Sequence, residues 1–436
     1  MERLRPRPFP PEDSPCGWLE PLPQGPAARP LEGDTTADLV IVGAGFTGLA
    51  AARRAAELGR RTVVLDAQRA GGSASGRSSG FVVDLAGFTK ALGGEATEAS
   101  IRLARRGIAE LRATVTAAAI DCDWDDRGWL HVAAGDAGER DLRDLEAWLT
   151  SRRETFESLD AGAMRAVTGT GYYRAGLRMT GRPLLDAGKL VRGLATTLPA
   201  GVELHEESPV HQMQREGASW RVQTARGSVV APRVIVAVNG GAPRFGLLGR
   251  QVFPLITFGS LTRPLTADEQ VALGGEREWG VLAQDPMGSS VRRTRDQRLL
   301  IRNSAFYSRT LEVPETVLDR AVVAHRRSLV ARFPQLAHVE FAHCWSGIMG
   351  ATPRRSPFFG ELSPGLYAAA GYTGAGIALG TSAGIGLAEL AAGVTGDIPR
   401  DFSLLPVPAR QPPEPFLSWG IRWTVGRMNR SGGPVL

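Results

Sequence analysis

Residues Asp38 to Gly48, Asp-Leu-Val-Ile-Val-Gly-Ala-Gly-Phe-Thr-Gly, constrain the fold of this chain more than any other stretch. A short apolar run breaks into glycines at Gly43, Gly45 and Gly48, and an alanine-rich segment follows at once. This pattern predicts a strand, a tight turn and the start of a helix. Gly43 permits the turn, Gly45 lets backbone approach a diphosphate, and Gly48 lets helix and strand pack closely. The first helical N–H groups, from Ala44, Phe46 and Thr47 onward, face the anion. The rest of a βαβ unit is present: Ala52 and Gly59 suit a close-packed helix and its end, and Thr62–Leu65 reads as a second strand. Asp66, followed by Ala67, sits at the tip of that strand, where a carboxylate accepts ribose hydroxyls. An acid there disfavours a 2′-phosphate, so FAD or NAD is expected over NADP.

A chain of 436 residues exceeds one small core and predicts two domains. Its hydrophobic content of 43% and charged content of 22% are those of a soluble globular protein. The net charge of +6 is scattered, as at Arg102, Arg105, Arg106 and Arg152–Arg153, without interleaved stacking aromatics. That argues against nucleic-acid binding and permits attraction of anions. Three cysteines (Cys16, Cys122, Cys344) form no disulfide framework and suit a reducing cytoplasm. The six histidines complete no H-E-x-x-H or cysteine–histidine set, so no metal site is expected. Residues 1–36 are rich in proline and arginine, lack an apolar signal-peptide core, and read as an extended arm anchored by Trp18 and Leu19. Leu366–Val394 is long and nearly uncharged, but its glycines, threonines and Glu389 fit strand, turn and buried helix rather than a membrane span.

The remaining pattern predicts an α/β protein with interleaved cofactor and substrate domains. A small-residue loop, Gly71–Gly80, follows the first βαβ unit, then a helix from about Phe88 to Ala119. Gly128–Val132 reads as a strand and Asp141–Leu159 as a helix. Leu190–Leu198 reads as a helix, Gly201–Leu204 as a parallel strand, and Trp220–Thr224 with Gly227–Val230 as a hairpin. Arg233–Val238 is a buried strand, Pro314–Arg332 a helix, and Gly365–Ala370 a strand that leads through Gly371–Gly376 into a helix ending at Ala392. The cofactor domain is assigned to 37–87, 180–244 and 340–400, the substrate domain to 88–179 and 245–339, and a tail to 401–436.

Four blocks together resemble the D-amino-acid-oxidase-like FAD-dependent oxidoreductases, in the branch of glycine oxidase, sarcosine oxidase and γ-glutamylputrescine oxidase. They are Gly43–Asp66, Ser75–Gly80, Arg233–Gly241 and Tyr367–Ile377, within a similarity running from about Trp18 to Ala392. The resemblance implies a discontinuous Rossmann-like FAD-binding domain of the GR2 type, interleaved with a substrate domain of antiparallel sheet and helices. Ser75, Gly76, Arg77, Ser78, Ser79 and Gly80 are similar to the family loop that passes the pyrophosphate and the flavin ring, with Ser78 where asparagine is usual. Gly371, Tyr372, Thr373, Gly374, Gly376 and Ile377 match the carboxy-terminal glycine turn, whose helix dipole favours negative charge on the flavin. Val210 matches the position whose backbone contacts adenine.

The chemistry implied is oxidation of a carbon next to nitrogen by hydride transfer to flavin N5, giving an imine that hydrolyses. The flavin carries the hard step, so no catalytic base is assigned. Trp345, Met349, Arg302 and Tyr307 are candidates for the substrate face, each weighed against plain core packing or a surface ion pair. Arg302 suits a substrate carboxylate by its planar fork. Leu299–Ile301 offers no lysine where sarcosine oxidase has its oxygen-activating one, which leaves oxygen or an electron carrier as the acceptor. FAD is expected to be non-covalent, with attachment through Cys344 or His343 as the alternative. Two other functions stay open. One is an NAD(P)H-dependent flavin monooxygenase, disfavoured because the late Gly396-Asp397 follows the final helix. The other is a flavin-binding electron-transfer subunit with a protein acceptor, for which Phe416–Met428, with Arg422, Arg427 and Arg430, supplies a basic amphipathic segment. Such a segment packs on its own domain or docks on a partner or membrane surface.

Overall fold

The computed structural model describes residues 2–7, 14–20, 22, 28–84, 92–283 and 288–431. At its centre is a six-stranded sheet with neighbours in the order Phe358–Ser363, Leu366–Ala370, Arg233–Val236, Leu39–Val42, Thr62–Leu65 and Val202–His205. The inner strands are parallel, and Phe358–Ser363 closes the edge antiparallel. Leu39–Val42 and Thr62–Leu65 are buried along their whole length, as expected of parallel strands covered on both faces. Alternation divides each strand between two cores. Leu39 and Ile41 join the helices Phe46–Glu57, Ala187–Thr196 and Gly376–Ala391. Val40 and Val42 meet Trp220, Val222 and Val229 of a second sheet.

That second sheet runs Arg3–Leu4, Gln212–Glu216, Ser219–Gln223, Gly227–Ala231 and Gly33–Thr36. The amino-terminal region expected as an extended arm thus supplies two strands. Trp18 is buried all the same, against Trp345 and Leu261.

The third sheet has eight strands in the order Phe341–Ala351, Phe253–Thr262, Leu299–Tyr307, Ser290–Arg293, Trp279–Ala283, Trp129–Ala133, Ala175–Met179 and Glu157–Leu159. It is antiparallel except where Trp279–Ala283 lies parallel to Trp129–Ala133. Phe341–Ala351 pairs with Phe253–Thr262 almost end to end, so it belongs to this sheet, although its sequence neighbourhood pointed to the cofactor domain. The stretch expected as one helix from Asp141 to Leu159 is a helix over Asp136–Ser151 and a strand over Glu157–Leu159. The helix ends because Arg153 turns to φ +56° and the Glu154 N–H bonds back to the Leu149 carbonyl at 3.0 Å. The helix expected from Phe88 spans Gly94–Ala117; residues 85–91 lie outside the described residues.

The tail forms a helix, Phe416–Ser431, which lays Leu417, Ile421 and Val425 on Ala305 and Tyr307. Ser304 adopts φ +62°, and the pairing of Leu299–Tyr307 with Phe253–Thr262 slips beside it. The Asn429 amide then satisfies both backbone groups of Ala305: the Ala305 N–H donates to Oδ1 at 3.0 Å, and Nδ2 donates to the Ala305 carbonyl at 2.8 Å. Among the described residues, no helix is long and apolar enough to cross a membrane.

Candidate active site

A cavity of about 690 Å³ opens at the carboxyl ends of Leu39–Val42 and Thr62–Leu65 and continues over the face of the eight-stranded sheet. Its first end is built by the βαβ turn. A β-carbon on Gly48 would lie 1.8 Å from the Gly43 carbonyl oxygen, so helix and turn reach this separation only with glycine. Gly43 and Gly45 line the cavity with bare backbone, and the helix starting at Phe46 points its N-terminus at it. The Phe46 N–H donates to Ser75 Oγ at 3.2 Å, which brings the small-residue loop to the helix start. Asp66 accepts from the Ala44 N–H at 2.6 Å and the Gln68 N–H at 2.9 Å. Burial outweighs these bonds and pushes its pKa up to about 6. The Asp66 carbonyl accepts from the Ser208 N–H at 2.7 Å, which seats Ser208, Pro209 and Val210 along the same wall.

The middle of the cavity joins segments far apart in sequence. Thr47 Oγ1 and Tyr372 Oη lie 2.9 Å apart, and the Gly371 N–H donates to Asn239 Oδ1 at 2.8 Å. The helix Gly376–Ala391 crosses Phe46–Glu57 closely because Gly384 faces the Thr47 carbonyl; a β-carbon there would be 2.1 Å from that oxygen. The turn Tyr372–Ile377 and the turn Gly43–Thr47 therefore bring two helix N-termini to one space.

The far end rests on the eight-stranded sheet. Directly paired residues share a face, and the register pairs Trp345 with Gly259, Gly259 with Arg302, and Arg302 with Ser290. All four line the cavity. Trp345 donates from Nε1 to the Arg77 carbonyl at 3.0 Å, and Arg77 Nε donates to the Ser346 carbonyl at 2.6 Å, tying the loop to this strand. Arg302 has no acidic partner among the described residues, and burial lowers its pKa. Arg292, 1% exposed, donates to the carbonyls of Leu185 (2.6 Å) and Ser79 (3.4 Å) and stacks over Trp18. It fixes the far side of the same loop.

Of the residues expected at the site, Gly43, Gly45, Phe46, Thr47, Asp66, Ala67, Ser75, Arg77, Ser78, Ser79, Val210, Tyr372, Thr373, Gly374, Gly376 and Ile377 line this one cavity, as do Trp345, Met349 and Arg302. Ala44, Gly48, Gly76, Gly80 and Gly371 stand behind the wall. A β-carbon on Gly76 would meet the Gly71 carbonyl at 2.3 Å, and one on Gly80 the Leu185 carbonyl at 1.9 Å. Tyr307 does not line the cavity. The irregularity at Ser304 brings it to the same face of the sheet as Arg302, but the tail helix covers it there, where it is buried with Leu417 and Ile421. Cys344 and His343 do not line the cavity, and His343 Nδ1 pairs with Glu20 at 2.9 Å. The sequence reading missed Arg292 and His131. His131 stands in a strand recognised as such, and one polar residue among apolar neighbours was the available signal.

These residues fit FAD. Bare glycine backbone and two helix N-termini suit a diphosphate, and Asp66 suits a ribose. The FAD dependent oxidoreductase family matches residues 38–390, and the chain belongs to it. It is an FAD-dependent oxidoreductase. Gamma-glutamylputrescine oxidoreductase of Escherichia coli (strain K12) is 31% identical over 372 residues, covering 83% of this chain and 85% of that protein. The probable oxidoreductase OrdL of Rhizobium meliloti (strain 1021) is 30% identical over 392 residues, covering 87% and 89%. Among solved structures, glycine oxidase from Geobacillus kaustophilus superposes with a TM-score of 0.71 at 21% identity, over 83% of this chain and 96% of that one.

Proposed function

We propose that this protein oxidises the C–N bond of a small amine or amino acid that carries a carboxylate, and that Arg302 receives the carboxylate. FAD, when bound, supplies the hydride acceptor. The chain's own residues bind, orient and enclose. Trp345 and Met349 wall the space beside Arg302, and Gly259 keeps the stretch between Trp345 and Arg302 clear of side chain. The observation that carries the reading is Arg302 itself, a half-buried guanidinium at the cavity wall with no acid beside it among the described residues. A charge held this way is costly unless a ligand supplies its partner. γ-Glutamylputrescine, the compound in the name of the Escherichia coli relative, bears both an amine and a carboxylate, which supports the class. FAD is held without a covalent bond, a reading supported by the absence of Cys344 and His343 from the cavity lining. The test is anaerobic titration of the purified yellow protein with amines and amino acids, with and without a carboxylate. Bleaching of the visible flavin bands by carboxylate-bearing amines is expected. Bleaching by NAD(P)H and by no amine would replace this reading with a monooxygenase.

A further inference from the structure

We propose that the cavity contains a second recognition point, His131, and that the preferred substrate is an elongated amine bearing a neutral hydrogen-bonding group of the amide class distant from the group held by Arg302. The proposal rests on the amine-oxidation reading above and specifies its substrate class.

His131 lies in the strand Trp129–Ala133, is 7% exposed, and lines the same cavity as Arg302. Neither ring nitrogen has a hydrogen-bond partner among the described residues. Its ring packs edge-on against Trp129, with centroids 4.8 Å apart. Buried polar side chains are nearly always satisfied, and one that is not, aimed into a cavity, marks a place for a ligand atom. Burial, with Arg182 as the nearby charge, holds its pKa down at about 3, so the ring is neutral at physiological pH.

A neutral imidazole offers one donor and one acceptor. A carboxylate has only acceptors and an ammonium only donors, so each leaves one ring nitrogen unsatisfied. An amide supplies both kinds of atom, and an apolar chain supplies neither.

The sheet register sets the length. Arg302 pairs with Ser290, and His131 pairs with Leu282. Continuing the register that pairs Val281 with Val291 sets Leu282 opposite Ser290. Arg302, Ser290, Leu282 and His131 thus form one row on one face, and all four line the cavity. Three strand spacings of about 4.8 Å separate the backbones at its ends, about 14 Å in total. With both side chains standing perpendicular to the sheet, a free α-amino acid spans too little to touch both, whereas an acylated diamine or a comparably long amide reaches across Leu282.

The experiment compares the FAD-loaded protein with His131→Leu and His131→Gln, using N-acylated diamines and simple alkyl amines of equal length. Wild type is expected to favour the amide about tenfold or more in kcat/KM. His131→Leu is expected to lose that preference through a raised KM for the amide, and His131→Gln to retain part of it, since glutamine keeps a donor and an acceptor. A carboxylated amide lacking the amine serves as a non-reacting probe in thermal-shift titration. It is expected to stabilise wild type and His131→Gln but not His131→Leu. Undiminished amide preference and probe binding in His131→Leu would overturn the proposal. If no amine bleaches the flavin, the functional reading fails by itself. The probe then decides His131: stabilisation of wild type but not of His131→Leu supports the site, and no stabilisation of wild type removes it.

Discussion

Replacing Arg302 with methionine separates a binding residue from a structural one, because the two roles predict opposite signs. Arg302 is half-buried with no acid beside it among the described residues, and desolvation lowers its pKa. The guanidinium stays charged, so the folded apoprotein bears the cost of an uncompensated cation. Removing even a paired buried charge in favour of an apolar side chain of similar volume is often neutral or stabilising by about 1–4 kcal/mol. Arg302→Met is therefore expected to leave the melting temperature unchanged or raise it. Substrate loses charge-assisted hydrogen bonds worth about 1.5–3 kcal/mol. At about 1.4 kcal/mol per factor of ten, kcat/KM for a carboxylate-bearing amine falls roughly 10- to 150-fold. The same amine without its carboxylate should be oxidised as well by the variant as by wild type. The assays are thermal melting of apo and FAD-loaded protein and anaerobic flavin reduction by the two amines. A melting temperature lowered by more than about 3 °C, or equal losses on both amines, would refute the reasoning, since either result makes Arg302 part of the scaffold.

Gly48→Ala is expected to yield protein that retains little FAD, read as the ratio of visible to ultraviolet absorbance, because its β-carbon would sit 1.8 Å from the Gly43 carbonyl oxygen. Asp66 has a folded pKa of about 6, above its ordinary 3.8. Its contribution to apoprotein stability is present below about pH 3.8 and is lost as pH rises through 6. The ionised acceptor that ribose hydroxyls need appears over that same window. FAD affinity of the apoprotein should strengthen from pH 5 to 7, and Asp66→Asn should flatten the dependence, both measured by quenching of FAD fluorescence. Asn429→Ala removes both bonds to Ala305 and is expected to cost about 1–3 kcal/mol, seen in a denaturant midpoint. Acid precipitation should leave the yellow colour in the supernatant, since Cys344 and His343 lie off the cavity; colour retained by the pellet would reverse the non-covalent assignment.

The nucleotide end was legible before any coordinates because its chemistry is local. Glycine at 43, 45 and 48, two apolar strands and an acid 18 positions after the last glycine act within one βαβ unit. The other end was not legible, for two reasons. Alternation along Leu299–Tyr307 marks two faces without saying which meets the cavity, and the positive φ at Ser304 exchanges them partway. That exchange puts Tyr307 on the same face as Arg302, and a helix more than a hundred residues later in the chain then seals Tyr307 while Arg302 stays open to the cavity.

The amino-acid sequence by itself determined the class of cofactor, the nucleotide-binding turns and the parallel strands that carry them, since each depends on neighbours a few residues apart. Only the tertiary structure decided which side chains share the far end of the cavity. The row from Trp345 through Arg302 to His131 is assembled by hydrogen bonding between strands distant in the chain. That register depends on how whole faces of apolar residues bury together, which no short stretch of sequence encodes.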